Sequence, residues 1–573
     1  MDKNQIIENL GNILTPSRVN TDSEDLYDAS ADRYKKYAKV RRVLDVPVPA
    51  AIVYPGSAQE VSQVLAFCNE HGLNVIPRAG KTATEGGLEN WKDNTIVLDA
   101  RHLDKILNID FYNMQATVQA GVPLQELEDA LRKQGFTTGH SPQSKPVAKF
   151  GGLVATRSIG QFSTLYGGIE DMVVGLECVF PDGHISRIKN VARRAGGPDI
   201  RHIVIGNEGS LCYITEVTVK IFRYYPENNR FTGYLVKDME TGIKVLREVM
   251  VNGFSPSVAR VYSEEDAAQH FFHFHKNRCV LLFMAEGPEG IVQATCQAIE
   301  AAAKKFKAGI IEQVDDTLIA DWFNNLNWSQ KDIDDEFEAM KENDSHSGFT
   351  TEISGDWETI PKIYHNVIQR IRKEYPRAHD LTMLGGHSSH SYINGTNMYF
   401  VYNYRILCAP EDEMRVYHHP LQRIIVEETL KLGGSMCHHH GIGKFRNEWT
   451  MDEHGSAYYM LEKLKQAFDP KGIMNFGTIY PQKEGEIQNK PGPVITGRQR
   501  AMAHAVPSRL LLSCLKRLGV RDNEKGCERT RGYPIGMKII CVVKFVPDVD
   551  SMVCDVENNT LSGKNARIMH ESG

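Results

Sequence analysis

The 573-residue chain has no Cys-x-x-Cys pair, although it contains 11 cysteines. Scattered single cysteines are typical of a reducing compartment, and they argue against a disulfide framework or an iron–sulfur cluster. No apolar run approaches the length of a membrane span, and the first residues, MDKNQIIENLGNIL, lack the features of a secretory signal. The net charge of −6 offers no basic excess for nucleic acid or an anionic membrane. These absences predict a cytoplasmic protein without nucleic-acid or membrane partners.

Residues 139–171 (GHSPQSKPVAKFGGLVATRSIGQFSTLYGGIED) show almost no helical or strand periodicity. Their two Gly-Gly pairs let the backbone approach a ligand closely, because glycine has no Cβ and accepts positive φ. Backbone N–H groups and the hydroxyls of Ser144, Thr156 and Ser158 can hold a pyrophosphate without a formal cation. A long surface loop is the alternative interpretation, but apolar residues such as Phe150 favour a buried, functional loop.

A second Gly/Thr-rich turn covers residues 78–87 and contains Gly80-Lys81-Thr82. This triplet does not indicate a nucleotide-triphosphate loop, because that motif needs a glycine five residues before Gly80 and the position holds Val75. The turn follows a predicted short strand at residues 74–77.

The order of these loops resembles the flavin domain of the vanillyl-alcohol-oxidase / p-cresol-methylhydroxylase (PCMH) superfamily. The matching segments are PRAGKTA at 77–83, GHSPQS…FGGLVATRSIG at 139–160, YGGIEDMVVGLECVFPDG at 166–183 and GNEGSLCYITE at 206–216. The resemblance extends over about 47–480 and is strongest toward alkylglycerone-phosphate synthase and its bacterial relatives. It implies an α+β protein with a two-subdomain PCMH-type FAD-binding domain at 47–222 and a substrate/cap domain at 223–480, which returns to the FAD domain at its C-terminal end.

In that superfamily the loops enclose FAD, so the resemblance also implies which residues bind the cofactor. The implied residues are Pro77, Arg78, Ala79, Gly80, Lys81, Thr82, Ala83, Gln143, Ser144, Gly151, Gly152, Thr156, Arg157, Ser158, Glu208, Gly209 and Ile214. Many members attach the flavin covalently through a histidine near the first loop, and the aligned position here is Thr82. The resemblance therefore implies non-covalent FAD. Lys81 stands where the family usually has a glycine, so the resemblance does not predict the backbone conformation of this turn.

From Phe231 the pattern changes to a β-α-β-β-α-β order, which is typical of a split-βαβ, ferredoxin-like domain. The acidic, tryptophan-containing segment 315–348 is predicted to cap the substrate entrance. Residues 1–46 are predicted to form a helical lead-in, in which Tyr34 and Tyr37 contribute ordinary surface packing.

Residues 481–536 are rich in Pro, Gly and Arg, a composition that predicts a disordered linker. From Met537, MKIICVVKFVPDVDS resembles the start of an electron-transfer-flavoprotein β subunit, but the segment 537–573 is far too short for that fold. We interpret it as a fused or run-on piece of a neighbouring gene that cannot fold alone. The resemblance makes an electron-transfer flavoprotein a candidate partner.

Three consecutive histidines, His438–His440, precede Gly-Ile-Gly-Lys. Adjacent side chains of an extended chain face opposite sides, so at most two of the three can share a pocket. Metal ligation with His387 and His390 is one interpretation. In a related 2-hydroxy-acid dehydrogenase branch, however, a metal-binding glutamate aligns with His439, so no metal is predicted. Acid/base chemistry beside the flavin is favoured, since an HHHG run of this kind is an active-site element of alkylglycerone-phosphate synthase.

Tyr399 aligns with the active-site tyrosine of that family, although a gap just after it leaves Tyr402 and Tyr404 as alternatives. A tyrosine titrates near pH ~10, so it needs a histidine or cation nearby to act as a base. Arg260 aligns with a family arginine that is important for activity, and a surface salt bridge is the alternative interpretation.

The arginine that binds substrate phosphate in the family should fall near residues 328–337, where this sequence has none. A phosphate dianion would lack its bidentate partner, and the acidic DIDDE run would repel it. We therefore expect an FAD-linked dehydrogenase of a small substrate such as a 2-hydroxy acid, with an electron-transfer flavoprotein as electron acceptor. The alternatives are an ether-lipid synthase and a non-enzymatic flavin subunit of an electron-transfer complex. A second copy of the chain is a further predicted partner.

Overall fold

The computed structural model describes residues 1–342 and 345–482, together with the backbone of four short strands between residues 520 and 562. The chain divides into two units, Met1–Gly492 and Pro493–Gly573. The first unit carries both predicted domains. Among its described residues, no helix is long and apolar enough to cross a membrane.

The FAD-binding domain consists of two subdomains, each built on its own sheet. Its helices are α1 (Lys3–Ile13), α2 (Ser23–Asp28), α3 (Lys36–Val40), α4 (Ala58–His71), α5 (Leu124–Arg132), α6 (Phe150–Ala155), α7 (Ser163–Tyr166), α8 (Ile169–Met172) and α9 (Arg201–Val204). Its strands are β1 (Val19–Asn20), β2 (Ala51–Val53), β3 (Val75–Arg78), β4 (Ile96–Asp99), β5 (Ile106–Asp110), β6 (Gln115–Gln119), β7 (Phe136–Thr137), β8 (Val173–Val179), β9 (Ile185–Ile188), β10 (Tyr213–Lys220) and β11 (Phe222–Arg223).

The first subdomain has strand order β1-β2-β4-β3, with β2, β4 and β3 parallel. Helix α4 connects two of these strands; it begins after Ser57, whose Oγ accepts from the backbone N–H of Glu60, and ends at Gly72 with φ of 65°. A hydroxyl N-cap and a left-handed glycine are the usual signals for both ends of a helix. The second subdomain is antiparallel, with strand order β5-β6-β10-β8-β9.

The helices α6 and α7 and the first three residues of α8 lie within residues 139–171, and the sequence did not predict them. Each has only four to six residues, which is too short to produce a recognisable 3.6-residue periodicity.

The N-terminal lead-in is an integral part of the fold. Ile6 and Leu10 of α1 lie in the core of the first subdomain. The prediction that Tyr34 and Tyr37 are surface residues is wrong, because Tyr37 is buried in the core of the second domain and Tyr34 packs against Phe349 with ring centroids 4.8 Å apart. Neighbouring charged residues suggested solvent exposure, but they form ion pairs with the second domain instead.

The second domain is a seven-stranded antiparallel sheet with helices packed on both faces. Its strands are β12 (Arg230–Val236), β13 (Val258–Tyr262), β14 (Cys279–Ala285), β15 (Ile310–Val314), β16 (His346–Asp356), β17 (Leu381–Ser388) and β18 (Gly395–Arg405). Its helices are α10 (Met239–Val251), α11 (Glu264–His270), α12 (Glu289–Lys305), α13 (Asp316–Asn324), α14 (Gln330–Glu342), α15 (Thr359–Glu374) and α16 (His419–Lys431).

The sheet order is β15-β12-β14-β13-β17-β18-β16. Its first four strands have the 4-1-3-2 order of a ferredoxin-like unit, as the sequence predicts, and the last three extend that sheet. The segment 315–348 contains the two helices α13 and α14 before it enters β16.

The first unit closes with α17 (Thr450–His454) and α18 (Tyr458–Phe468), and the chain then returns to the FAD-binding domain. Val75 of β3 donates its N–H to the Ile473 carbonyl and accepts from the N–H of Asn475, each at 2.8 Å.

In the second unit, β19 (Val520–Asn523) pairs antiparallel with β20 (Gly526–Arg529), and β21 (Val553–Asp555) pairs antiparallel with β22 (Thr560–Ser562). Apart from these strands, the predicted linker 481–536 beyond residue 482 and the fragment 537–573 lie outside the described residues.

Candidate active site

A cavity of about 450 Å³ lies between the loops of the FAD-binding domain and the sheet of the second domain. All the FAD-binding residues implied by the sequence resemblance line it except Arg157, whose guanidinium reaches Glu170 at 3.1 Å and whose side chain is 51% exposed. Of the predicted catalytic residues, Tyr399, Arg260, His439 and His440 line the cavity and His438 does not.

Glycines allow the cofactor loops to pack closely against one another, because a side chain at these positions would clash. A Cβ on Gly80 would lie 2.8 Å from the Val147 carbonyl oxygen, and one on Gly151 would lie 2.8 Å from the Cβ of Ala120. Lys81 adopts φ of 59°, so the residue that replaces a glycine keeps a glycine-like backbone.

The cavity wall contributed by the FAD-binding domain fits a flavin nucleotide. It is lined by glycines and by hydroxyl and amide side chains, among them Gly152, Thr156 and Ser158. The Gln161 amide in this wall has a buried Nε2 with no protein partner among the described residues. A buried donor of this kind needs an acceptor, which a nucleotide oxygen can provide.

Four neighbouring strands place a row of side chains on the cavity side of the sheet. The strand register pairs Tyr262 with His387, His387 with Tyr399, and Tyr399 with Glu352. Directly opposite residues of antiparallel strands project from the same face. His387 consequently stacks between Tyr262 and Tyr399, with ring centroids 4.7 and 4.4 Å away.

Strand alternation decides among the three candidate tyrosines. Tyr402 and Tyr404 point into the core on the opposite face, where they bond to His418 at 2.8 Å and Glu413 at 3.0 Å. Tyr399 is the candidate that faces the cavity.

The Tyr399 hydroxyl lies within hydrogen-bond distance of two histidines. It is 2.8 Å from His439 Nε2 and 3.3 Å from His390 Nε2. Burial raises the pKa of Tyr399 well above its ordinary value and lowers the pKa of both histidines well below theirs. All three groups are therefore neutral near pH 7 and can each donate and accept a hydrogen bond.

A buried carboxylate fixes the histidine run. Glu352 accepts from the backbone N–H groups of His438, His439 and His440 at 2.8, 3.3 and 2.6 Å. Burial favours its neutral acid, but Arg446 and the nearby histidines hold the pKa of Glu352 well below its usual range. Arg446 is itself fully buried.

Arg446 links this carboxylate to a second one from the FAD-binding domain. Its Nη1 lies 3.4 Å from Glu352 and its Nη2 lies 2.8 Å from Glu85. The Gln422 amide also donates to Glu85 at 2.8 Å. The histidine loop is thus attached to both domains through one buried ionic network.

A third carboxylate, that of Asp266, orients His387. Asp266 Oδ2 lies 2.5 Å from His387 Nδ1 and Asp266 Oδ1 lies 3.3 Å from His270 Nε2. Burial favours the neutral acid, but His387 and His270 hold the pKa of Asp266 well below its usual range. Sequence reasoning did not identify Asp266, Glu352 or Arg446 as site residues. A single charged residue within the buried strand pattern FTTEIS was the available signal for Glu352.

Arg260 is a buried arginine with two guanidine nitrogens that have no hydrogen-bond partner in the described part of the chain. Its side chain is 4% exposed, and among the described residues its Nε and Nη1 have no hydrogen-bond acceptor. The guanidinium carbon lies 5.6 Å from the ring centroids of Tyr262 and Trp322. The alternative interpretation of a surface salt bridge is therefore wrong.

The N-terminal segment contributes an arginine at the cap. Arg33 lies over the Trp328 ring at 4.4 Å and pairs with Glu336 of α14 at 2.9 Å, and Lys36 pairs with the same carboxylate. Arg33 and Trp328 both line the cavity. In the described ranges 1–342 and 345–482, no group of three or more His, Cys, Asp or Glu side chains could hold a metal ion.

Residues 49–189 match the family model for the FAD binding domain, and residues 225–479 match the model for the C-terminal domain of FAD linked oxidases. The chain is 58% identical over 477 residues to the uncharacterized FAD-linked oxidoreductase YgcU of Escherichia coli O157:H7, covering 83% of this chain and 98% of the relative. The chain belongs to the FAD-linked oxidases. It is an FAD-dependent oxidoreductase.

More distant relatives of this oxidoreductase are named for different activities. Alkyldihydroxyacetonephosphate synthase of Caenorhabditis elegans is 28% identical, covering 74% of this chain and 75% of the relative. Glycolate oxidase subunit GlcD of Bacillus subtilis (strain 168) is 26% identical, covering 76% and 89%. A solved alkyldihydroxyacetonephosphate synthase superposes with a TM-score of 0.64 at 22% identity, covering 84% of this chain and 86% of that one, and shares the fold.

We expect the FAD to be bound without a covalent link, because Thr82 in the cavity wall has no nucleophilic ring nitrogen. Precipitation of the purified protein with trichloroacetic acid should release the yellow flavin into the supernatant. Flavin that stays with the pellet, or migrates with the denatured chain on a fluorescent gel, would contradict this expectation.

A chain ending at Gln482 should keep its solubility, flavin content and melting temperature, since the 477-residue match already covers 98% of the E. coli relative. A chain ending at Lys471 serves as the contrast. It lacks the Ile473 and Asn475 contacts with Val75 and the bond from Ile479 N–H to the Gly443 carbonyl. We expect this shorter chain to lose flavin or aggregate, and loss of flavin from the longer one would refute the prediction.

Proposed function

We propose that this oxidoreductase is a dehydrogenase of a small 2-hydroxy acid and passes electrons to an electron-transfer flavoprotein. The proposed catalytic residues are Tyr399, Arg260 and the run His438–His440. Bound FAD supplies the acceptor for two electrons. The protein side chains bind the acid, orient its hydroxyl and accept its proton.

The observation that carries this proposal is the buried guanidinium of Arg260, whose Nε and Nη1 have no acceptor among the residues that the structure describes. A buried charge without a partner is costly, so a cavity with a free arginine in its wall is suited to an anion. Arginine binds a carboxylate through two parallel N–H donors. Arg260 and Tyr399 project from the same face of the sheet into the cavity. In this arrangement Arg260 would bind the carboxylate of the substrate and Tyr399 would bind the neighbouring hydroxyl.

Tyr399 and His439 suit the proton-transfer step. Their 2.8 Å hydrogen bond allows the tyrosine hydroxyl to accept the substrate proton while it gives its own proton to the imidazole. The name of the glycolate oxidase relative also supports a hydroxy acid, since glycolate is the smallest 2-hydroxy acid.

The test is anaerobic reduction of the bound flavin by glycolate, D-lactate, L-lactate and D-2-hydroxyglutarate, followed at the flavin absorption band. We expect at least one acid to bleach the flavin within seconds, whereas its 2-hydroxy amide should not. The absence of bleaching by every acid tested would refute the proposal.

Arg260→Met should raise the KM for the reactive acid by about 10- to 100-fold, because a hydrogen bond to a charged group contributes about 1.5–3 kcal/mol. Arg260→Lys should recover part of the loss, since lysine keeps the charge but not the planar pair of donors. The control is Arg372→Met, which removes an arginine that is 61% exposed. An unchanged KM in Arg260→Met would show that Arg260 does not bind the substrate.

Ether-lipid synthesis is the second candidate, favoured by the Tyr399–His439 pair next to an HHHG run and by the 28% identical synthase. It predicts that a fatty alcohol replaces the acyl group of acyl-dihydroxyacetone phosphate, which leaves as a fatty acid, without lasting reduction of the flavin. The absence of an arginine in residues 328–337 is the reason that we place it second.

A further inference from the structure

The histidine run contains one member whose position the proposed catalytic roles do not explain. His438 does not line the cavity, and its ring faces away from it toward Tyr392. Its two ring nitrogens nevertheless both have hydrogen-bond partners. Nδ1 lies 2.9 Å from His439 Nδ1, and Nε2 lies 2.6 Å from the Tyr392 hydroxyl.

These contacts complete an unbroken chain of hydrogen bonds that begins at the cavity. Tyr399 meets His439 at 2.8 Å, His439 meets His438 at 2.9 Å, and His438 meets Tyr392 at 2.6 Å. Every member is a group that can donate at one position and accept at another. Each link is therefore able to pass a proton onward.

The chain ends at a half-buried tyrosine that is followed in sequence by two exposed residues. Tyr392 is only partly buried, Ile393 is 67% exposed, and Asn394 is also exposed. The other branch from Tyr399 leads through His390 to Ser163, which is buried. Only the branch through Tyr392 leads from the cavity toward the surface among the described residues.

We propose that His438 and Tyr392 form a proton relay that carries the substrate hydroxyl proton from Tyr399 and His439 to the protein surface. The relay rests on the proposed function for the source of its proton. It assigns a role to Tyr392, which is a positioning and relay residue and does not contact the cavity.

One consistent arrangement of protons supports outward transfer. Tyr399 donates to His439 Nε2, the Nδ1–H of His439 donates to Nδ1 of His438, and the Nε2–H of His438 donates to the Tyr392 oxygen. The substrate O–H bond breaks as Tyr399 takes that proton, and each member passes its own proton to the next. Tyr392 releases one proton to water, and every member again carries one proton. The electron pair of the broken O–H bond becomes the second bond of the product carbonyl. The hydrogen of the C–H bond leaves with its electron pair as a hydride, which bound FAD would accept.

The electrostatics agree with this arrangement. Burial lowers the pKa of His438 to about 4 and the pKa of His439 well below its ordinary value. Neutral imidazoles are what a relay requires, since a doubly protonated ring has no acceptor nitrogen.

The first test is independent of the substrate. In FAD-loaded protein with ¹⁵N-labelled histidine at pH 7, we expect NMR to show His439 protonated at Nδ1 and His438 protonated at Nε2. His438→Gln and His439→Gln assign the two sets of signals. In Tyr392→Phe, which has no acceptor oxygen, the signals of His438 and also those of the more distant His439 should shift. Opposite tautomers, a protonated ring, or an unchanged His439 in Tyr392→Phe would overturn the relay.

The second test follows the proton itself. With D-lactate as the probe, a pH indicator in weakly buffered solution should report proton release together with flavin bleaching in the wild type. In Tyr392→Phe, release should lag and bleaching should slow about tenfold or more, with a larger slowing in D₂O and unchanged FAD content. Tyr112→Phe is the control, because it removes a hydroxyl from a side chain that is 95% exposed. Wild-type proton release in Tyr392→Phe would overturn the proposal. If D-lactate bleaches no variant, the measurement is repeated with whichever of the four acids bleaches the wild type, and if none does, the proposed function fails and the NMR result alone decides on the relay.

Discussion

His439→Ala should slow flavin reduction by the substrate about 10²- to 10⁴-fold, which is the usual cost of removing a positioned acid or base. The imidazole accepts at 2.8 Å from Tyr399, so its loss leaves the tyrosine with only the longer 3.3 Å contact to His390. FAD should stay bound, because none of the FAD-binding residues implied by the resemblance depends on this ring. Stopped-flow absorbance measures the rate, and the ratio of flavin to protein measures occupancy.

The Tyr399–His439 hydrogen bond predicts that the two residues act as a unit. Tyr399→Phe should cause a loss similar to that of His439→Ala, and the double variant should be no slower than either single variant. His379→Ala is the control, since His379 is 76% exposed. If the two losses were fully additive, Tyr399 and His439 would not act as a coupled pair. If His439→Ala reduced flavin at the wild-type rate, the assignment of the histidine run to the active site would be wrong.

The residues that the resemblance of the four loops implies as FAD-binding lie in the cavity wall, with one exception. Such loops can be found from sequence because they depend on local features such as glycine pairs and hydroxyls. Gly80 and Gly151 mark positions where a Cβ has no room. Arg157 was the exception among those residues. Its place in the sequence next to Ser158 does not determine the direction of its side chain. That side chain points away from the cavity and reaches Glu170.

The groups that support the histidine run could not be predicted in the same way, because they meet only through strand register and domain packing. Glu352 is 86 residues from His438 in sequence, and Glu85 is 361 residues from Arg446. Tyr262, His387 and Tyr399 become neighbours because three antiparallel strands align them. Once the register is known, alternation alone excludes Tyr402 and Tyr404.

Glu352→Ala should lower the free energy of unfolding by about 3–5 kcal/mol, which is the usual cost of removing one partner of a buried ion pair. The substitution removes the acceptor of three backbone N–H groups and leaves Arg446, which is fully buried, with Glu85 as its remaining carboxylate. Urea unfolding followed by far-UV circular dichroism measures the loss. Glu358→Ala, which breaks an exposed pair with Lys362, should cost about 0.5 kcal/mol or less.

The buried Glu352 carboxylate also predicts how stability changes in acid. Because Arg446 holds the pKa of Glu352 below its value of about 4.3 in an unfolded chain, the carboxylate stabilises the fold fully above that pH and progressively less as the pH falls. Glu352→Gln keeps the shape but has no charge to titrate, so its stability should fall less steeply than that of the wild type between pH 5 and pH 3. If the two proteins lose stability in parallel across this range, Glu352 is not the buried carboxylate on which the histidine loop depends.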